Sequence, residues 1–205
     1  MSTKIKLVLK EEKKSESIIK IKLQLKPKSR QPQSQQISPH HVIKKKYQST
    51  LYFPKLLTDE ESTNLYQYLL KNIKWDKGVY SHKAGKYTRL AKALSLKDND
   101  LVKWAVIESL QRMGLSDYVI FGVYLNYYRD GDDYTPQHKH DETTQLVISL
   151  NEPDGNRELT VGKTKYNLNN GDAIIFGGSI HGVPKQPGRK GRISIATFMK
   201  HKSQM

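Results

Sequence analysis

The chain has 205 residues, a formal net charge of +15 at pH 7, an isoelectric point near 9.7 and no cysteine. This length is typical of one domain with a tail, and the lack of cysteine excludes disulfide bonds and thiolate metal sites, so a metal would need histidine or carboxylate ligands. No apolar run approaches the roughly 20 residues of a membrane span and no apolar leader opens the chain, so we expect no membrane association and a location in the cytoplasm or the nucleus.

The first 46 residues form a basic tail. They hold 13 Lys or Arg and three acidic residues. The resulting net charge of 13 − 3 = +10 is two thirds of the net charge of the chain. Residues 4–10 and 20–26 share a strand-like alternation of lysine and apolar residues, but two short strands cannot bury a core, and residues 27–41 resemble a linker. We therefore divide the chain into a basic, mostly disordered tail, 1–46, and a folded domain, 47–205. The charge suggests a nucleic-acid partner, DNA or RNA, while charge taken alone favours the alternative of a solvated basic surface.

Two helices are predicted in the first half of the domain. Thr58 and Glu61 have the spacing of a capping box, and apolar residues follow them at helical spacing. A second helix is predicted over about residues 100–113, with Asn99 as its N-cap and Gly114 just beyond its end.

After the second helix the sequence changes to short runs rich in β-branched and aromatic residues, separated by Gly, Asn, Asp and Pro. Helices followed by a series of strands predict an α+β domain with a sandwich or jelly-roll of strands. The predicted strands are 118–128, 145–150, 158–161, 173–176 and 193–198.

The stretch that follows the first of these strands concentrates metal-binding side chains. His138 and His140 stand at i and i+2, the spacing at which two side chains of a strand point the same way, and His181 lies downstream. Arg192 offers a planar fork for a carboxylate, and Ser194 shares its strand face. This order is typical of an open non-heme iron site with an anionic co-substrate: two early ligands come first, then a distant histidine, and then a basic residue. The sequence therefore predicts an oxidative enzyme.

These motifs resemble those of the AlkB-type iron(II)/2-oxoglutarate-dependent dioxygenases over about residues 51–200, most strongly in 126–142 and 171–198. The matching pieces are Asn126-Tyr127-Tyr128, Asp130-Gly131, Asp133 five residues before His138, Asp141-Glu142, the run from Gly171 to Gly178, His181, and the run from Arg192 to Phe198.

The resemblance implies a double-stranded β-helix core that uses Fe(II), 2-oxoglutarate and O2. The reaction implied is oxidative demethylation of alkylated bases in DNA or RNA, in which 2-oxoglutarate gives succinate and CO2 and the N-methyl group leaves as formaldehyde. The residues implied are His138 and His181 for the metal, Asn126, Tyr128, Arg192 and Ser194 for 2-oxoglutarate, and Glu142 and Arg89 for the substrate.

One metal-binding position departs from the family. The residue two after His138, where the family has a carboxylate, is His140. Read without gaps, the site has three histidines, which raises its net charge by one unit and makes it more favourable to zinc, nickel or copper. A slipped register would pair Asp141 with His138, or Glu142 with His140. The unslipped alignment is preferred, because Asp133 and the acidic pair then align without gaps.

Two further positions depart. Met199 stands where the family often has a second arginine, so Arg192 must provide most of the interaction with the co-substrate carboxylate. Thr88-Arg89-Leu90 resembles the start of the family's nucleotide lid, but the aromatic pattern that should follow is missing.

Two other functions stay open. One is hydroxylation of a protein side chain by the same chemistry. The other is a catalytically impaired nucleic-acid-binding module that kept the fold and lost its iron chemistry, an alternative that rests on His140. In each case we expect a monomer.

Overall fold

The computed structural model describes residues 3–8, 22–27, 50–77, 80–81, 85–140 and 144–205. The chain divides into two compact units, Met1–Ser38 and Pro39–Met205. No helix within the described ranges is long and apolar enough to cross a membrane.

The first unit contains an antiparallel pair of strands, β1 (Thr3–Val8) and β2 (Lys22–Pro27). These strands overlap the two segments of alternating lysine and apolar residues, 4–10 and 20–26. The rest of the tail, for which disorder is predicted, lies outside the described residues.

The described part of the second unit contains helices and short strands. The helices are α1 (Asp59–Asn72) and α2 (Asp100–Arg112), and a 3-10 turn spans Lys202–Gln204. The strands are β3 (Leu51–Phe53), β4 (Tyr80–Ser81), β5 (Gly85–Lys86), β6 (Leu90–Leu94), β7 (Tyr118–Tyr128), β8 (Thr135–His138), β9 (Thr144–Asn151), β10 (Arg157–Val161), β11 (Thr164–Leu168), β12 (Ala173–Phe176), β13 (His181–Val183) and β14 (Arg192–His201).

Both helices begin at the predicted caps. The Thr58 hydroxyl accepts from the Glu61 backbone N–H at 3.1 Å, and the Glu61 carboxylate accepts from the Thr58 N–H at 2.8 Å. Such a cap stabilises a helix by about 1 kcal/mol. The Asn99 side chain accepts from the Val102 N–H at 3.0 Å, and Gly114, just past the end of α2, has φ +69. Both helix predictions are confirmed.

The strands of the second unit form two main antiparallel sheets. The major sheet has the order β3-β12-β9-β14-β7-β6, and the minor sheet has the order β11-β10-β13-β8. Helix α1 contacts β9, and α2 contacts β14. Two sheets facing each other, with helices on the major sheet, form the jelly-roll that the series of strands predicts.

The apolar core joins the two sheets. Side chains from both sheets are removed from water together, which stabilises the fold by about 2 kcal/mol for each large apolar side chain. The same strand faces carry polar residues at neighbouring positions, and these form the site described below. The core residues are Tyr128, Val147, Leu159, Val161, Leu168, Ile174, Phe176, Val183 and Ala196.

Candidate metal centre

Three imidazoles converge at the pairing of β8 with β13. His138 ends β8 and His181 begins β13, and the antiparallel register places them opposite each other. The ring centres lie 4.3 Å apart for His138 and His181, 4.9 Å for His138 and His140, and 5.5 Å for His140 and His181. One nitrogen of each ring lies within 4.8 Å of the others. Gly182 permits the close strand contact, since a Cβ there would lie 2.9 Å from the Thr135 carbonyl oxygen.

Backbone carbonyls fix the tautomer of two of these rings. Nδ1 of His138 lies 2.9 Å from the Pro136 carbonyl oxygen, and Nδ1 of His181 lies 2.9 Å from that of Ser179. A carbonyl only accepts, so each Nδ1 carries the proton and each Nε2 presents its lone pair. Burial lowers the pKa of His181 to about 4 and also lowers the pKa of His138. Both rings are therefore neutral at pH 7, which is the form that binds a metal.

Each of the three rings also contacts an aromatic side chain, which limits the rotation of the imidazole. Tyr124 lies further towards the solvent. It is 46% exposed, and its ring centre lies 5.5 Å from that of Phe198. The pairs are Phe176 with His181 at 4.9 Å, Phe198 with His140 at 5.0 Å, and Tyr87 with His138 at 6.0 Å between ring centres.

The major sheet presents polar side chains on one face of β7, β14 and β9. Residues directly opposite in an antiparallel pair point the same way, so the register groups them into rows. The Tyr128 hydroxyl lies 2.9 Å from the Thr135 hydroxyl, which joins this face to β8, the strand that carries His138. The first row consists of Asn126, Ser194 and Ser149, and the second row consists of Tyr128, Arg192 and Asn151.

Arg192 is the largest charged group of this face, and it is fully buried. Its Nε donates to the Ser149 hydroxyl at 2.7 Å, Ser149 donates to the Asn151 side-chain oxygen at 2.9 Å, and Asn151 donates to the Leu168 carbonyl at 2.9 Å. This chain of hydrogen bonds fixes the orientation of the guanidinium. Burial lowers its pKa to about 10, so the group stays charged at pH 7.

The remaining nitrogens of Arg192, Nη1 and Nη2, are buried without a hydrogen-bond partner in the part of the chain that the structure describes. A buried charge without a partner is costly, so this geometry fits an anionic ligand that accepts both N–H groups. Beside it, Asn126 donates to the Ser194 hydroxyl at 3.3 Å, while its side-chain oxygen has no hydrogen-bond partner among these described residues. A carboxylate such as that of 2-oxoglutarate accepts hydrogen bonds only, and it therefore matches the two free N–H groups of Arg192. Met199, where a second arginine is absent, is fully buried.

Arg157 is a buried cation that the sequence did not indicate. Its guanidinium donates to the carbonyls of Asp130 and Asp133, both at 2.6 Å, and of Pro184 at 3.0 Å. Arg157 therefore ties the loop that precedes β8 to the residue that follows β13, the two strands that carry His138 and His181. A single arginine at a strand start is usually solvated, and no local sequence signal distinguishes this one.

Arg89 lies beside the histidines. Its guanidinium carbon is 4.5 Å from the ring centre of Tyr87, the residue that contacts His138. Its Nε and Nη1 are buried and have no hydrogen-bond partner within the described ranges. Asp141 and Glu142, the possible alternative ligands or substrate contacts, lie outside the described residues.

No protein-family model matches the chain, and no curated protein matches it in sequence. Solved structures match its fold. A prolyl-4-hydroxylase from Pseudomonas putida is 12% identical with a TM-score of 0.54, over 75% of this chain and 93% of that one. A prolyl hydroxylase from Trichoplax adhaerens, in complex with a hypoxia inducible factor oxygen degradation domain peptide fragment, is 13% identical with a TM-score of 0.57, over 76% and 84%. HygX from Streptomyces hygroscopicus, with nickel and 2-oxoglutarate bound, is 10% identical with a TM-score of 0.56, over 76% and 84%.

These similarities establish the fold. The chain has the double-stranded β-helix fold of the 2-oxoglutarate- and iron-dependent oxygenases, as the motifs of residues 126–142 and 171–198 imply. The prediction of fold class is confirmed.

Proposed function

We propose that this chain is an AlkB-type iron(II)/2-oxoglutarate-dependent dioxygenase that removes N-methyl groups from alkylated bases of DNA or RNA. The observation that carries the oxygenase assignment is the buried guanidinium of Arg192, whose Nη1 and Nη2 have no hydrogen-bond partner in the described part of the chain, in a domain that also brings three histidines together. The AlkB-type branch rests on the sequence motifs in 126–142 and 171–198.

His138, His140 and His181 are the metal ligands in this proposal. Imidazole nitrogen suits iron as well as zinc, nickel and copper, and the free Nε2 lone pairs of His138 and His181 fit such an ion. Bound iron would supply, together with 2-oxoglutarate and O2, the oxidising power to hydroxylate an N-methyl group. The carbonyls that fix the two Nδ1–H groups hold the imidazoles in the orientation that binding requires.

Arg192, Asn126, Tyr128 and Ser194 form the 2-oxoglutarate site in this proposal. The two free N–H groups of Arg192 would donate to one carboxylate in a bidentate pair, an arrangement that a lysine cannot reproduce. Because the guanidinium is already desolvated and held by Ser149, little further ordering is needed on binding.

The substrate base must be unstacked to reach the metal, either flipped from a duplex or already single-stranded. Arg89 and Glu142 are the proposed substrate contacts, and the basic tail, 1–46, would add phosphate affinity that does not depend on sequence. We place this activity in the cytoplasm or the nucleus, with nucleic acid as the partner.

A second candidate is hydroxylation of a protein side chain. Two of the matching solved structures are prolyl hydroxylases, and one of them holds a peptide. The same three ligands and the same Arg192 would serve either reaction, so the substrate separates the two candidates.

The test is succinate release from 2-oxoglutarate by iron-loaded protein, with bound metal measured in the same preparation. Methylated DNA and RNA oligonucleotides should raise release above the level with unmethylated oligonucleotides or with peptides. His181→Ala should abolish the release, and His201→Ala, a partly exposed histidine at the end of β14, should leave it unchanged. Stimulation by peptides alone would establish the second candidate, and no release with stoichiometric iron bound would favour an impaired binding module.

A further inference from the structure

Gln145, on the central strand β9 of the major sheet, has a buried donor that the fold does not use. The residue is 2% exposed, and its side-chain nitrogen, Nε2, has no hydrogen-bond partner among the residues that the structure describes. An amide N–H removed from water without an acceptor costs free energy, and such groups are rare in folded proteins. The donor of Gln145 therefore needs an explanation that the residues around it do not supply.

Strand alternation places the Gln145 side chain on the face that carries the site. Val147, two residues further along β9, belongs to the apolar core between the two sheets, and Ser149, four residues further, accepts from Arg192. Side chains at i, i+2 and i+4 of a strand point to one face. Gln145 therefore points towards the minor sheet, which carries two of the three histidines.

The antiparallel register also places Gln145 between two rings that contact the histidines. Gln145 lies opposite Phe176 of β12 on one side and opposite Phe198 of β14 on the other. The ring centre of Phe176 lies 4.9 Å from that of His181, and the ring centre of Phe198 lies 5.0 Å from that of His140. Neither phenylalanine has an oxygen or nitrogen acceptor in its side chain, so Nε2 is a lone donor in an apolar row beside the candidate metal ligands.

We propose that Gln145 donates, through Nε2, to the carboxylate of 2-oxoglutarate that lies at the metal. This inference rests on the proposed function. 2-Oxoglutarate has a carboxylate at each end, and Arg192 binds one of them in the proposed site. A 2-oxo acid chelates a metal ion through its oxo oxygen and the neighbouring carboxylate, so the second carboxylate lies beside the histidines. Carboxylate oxygens are acceptors, the complement of the free N–H of Gln145.

A neutral donor also fits the charge of this site. His140 stands in place of a carboxylate and raises the charge of the metal centre by one unit, while Met199 stands in place of a second arginine and lowers the charge near the co-substrate by one unit. A bound metal ion therefore attracts the carboxylate more strongly here, and a further cation beside it would be repelled. The amide of Gln145 orients the carboxylate without adding charge.

The experiment measures, by calorimetry on iron-loaded protein without oxygen, the affinity for 2-oxoglutarate and for two analogues that each lack one carboxylate. 2-Oxopentanoate keeps the carboxylate next to the oxo group, and 4-oxopentanoate keeps only the other one. Gln145→Met keeps the length of the side chain and removes the amide. It should weaken the binding of 2-oxoglutarate and 2-oxopentanoate at least about tenfold and leave that of 4-oxopentanoate unchanged. Arg192→Met should instead weaken 2-oxoglutarate and 4-oxopentanoate and leave 2-oxopentanoate unchanged.

A matched control and a second readout accompany these affinities. Gln67→Met makes the same exchange at an exposed position of α1 and should leave all three affinities unchanged. The visible absorption band of the iron(II) complex with 2-oxoglutarate should shift in Gln145→Met, because the chelating carboxylate loses a hydrogen bond. The band should keep its position in Gln67→Met.

Two results would overturn the inference while the proposed function stands: an unchanged affinity for 2-oxoglutarate in Gln145→Met, or a loss that extends equally to 4-oxopentanoate. Urea unfolding without ligand gives a third. The removal of an unpaired donor should leave the unfolding midpoint equal or higher, so a lower midpoint in Gln145→Met would show that the amide is already satisfied within the fold. If the iron-loaded wild type binds no 2-oxoglutarate, the proposed function itself fails, and the inference fails with it.

Discussion

Replacing Arg192 by methionine should stabilise the ligand-free protein and abolish the binding of 2-oxoglutarate. The guanidinium is fully buried, and among the described residues only its Nε has a hydrogen-bond partner, the Ser149 hydroxyl at 2.7 Å. Burial lowers its pKa from 12.5 to about 10, which corresponds to a desolvation cost of about 3 kcal/mol for the charged form. Methionine occupies a similar length without a charge, and Ser149 keeps its own donor bond to Asn151. We therefore expect the free energy of unfolding to rise by about 1–3 kcal/mol.

The same substitution should weaken the binding of 2-oxoglutarate. The substitution removes two charge-assisted hydrogen bonds of about 1.5–3 kcal/mol each. We therefore expect the affinity for 2-oxoglutarate to fall at least about 100-fold. Urea unfolding with and without 2-oxoglutarate measures both quantities, because a ligand that binds the folded state stabilises it. The wild type should gain stability with added 2-oxoglutarate and Arg192→Met should not. A variant that is destabilised by several kcal/mol without ligand would refute the reasoning, since it would show that the charge is already satisfied within the fold.

The remaining predictions concern Arg157, the third metal ligand His140 and the basic tail. Arg157→Met, at an equally buried arginine, should lower the free energy of unfolding by about 2–4 kcal/mol, because it leaves the carbonyls of Asp130, Asp133 and Pro184 without their donor; a gain in stability in urea unfolding would contradict this. His140→Asp should lower turnover at least about tenfold by removing one imidazole of the cluster. Raised succinate release would instead show that the natural site is impaired. Deleting residues 1–46 should weaken nucleic-acid binding about tenfold or more at low salt and reduce the slope of log affinity against log salt; unchanged affinity would assign the tail another role.

The features that the sequence predicts best are those set by neighbouring residues. The cap of α1 depends on Thr58 and Glu61 alone, and the cap of α2 depends on Asn99, so both could be placed from spacing. The long strand β7 was predicted with its observed bounds, Tyr118–Tyr128, because an unbroken β-rich run marks it.

The short strands of the minor sheet could not be predicted in the same way. β8 spans only Thr135–His138 and contains Pro136, and β13 spans only His181–Val183 and contains Gly182. Neither has an alternating pattern, and each becomes a strand only through pairing with a distant segment. The convergence of the histidines was therefore predicted from the order of the motifs along the chain and not from local strand propensity.

The residues that support the site were missed for the same reason. Arg157 is buried because carbonyls from two distant loops meet at its guanidinium, which no nearby residue reveals. Ser149 did carry a signal, as a lone hydroxyl within the predicted strand 145–150, but its role depends on lying opposite Ser194 in the register.

The central claim is that three imidazoles bind one metal beside a 2-oxoglutarate site. X-ray absorption at the metal edge of protein loaded with one equivalent of iron, recorded with and without 2-oxoglutarate, measures this directly. We expect scattering from three imidazole rings. With 2-oxoglutarate we expect two added oxygen ligands in the wild type and none in Arg192→Met. Two or fewer imidazoles at the metal, or a spectrum unchanged by 2-oxoglutarate, would contradict it.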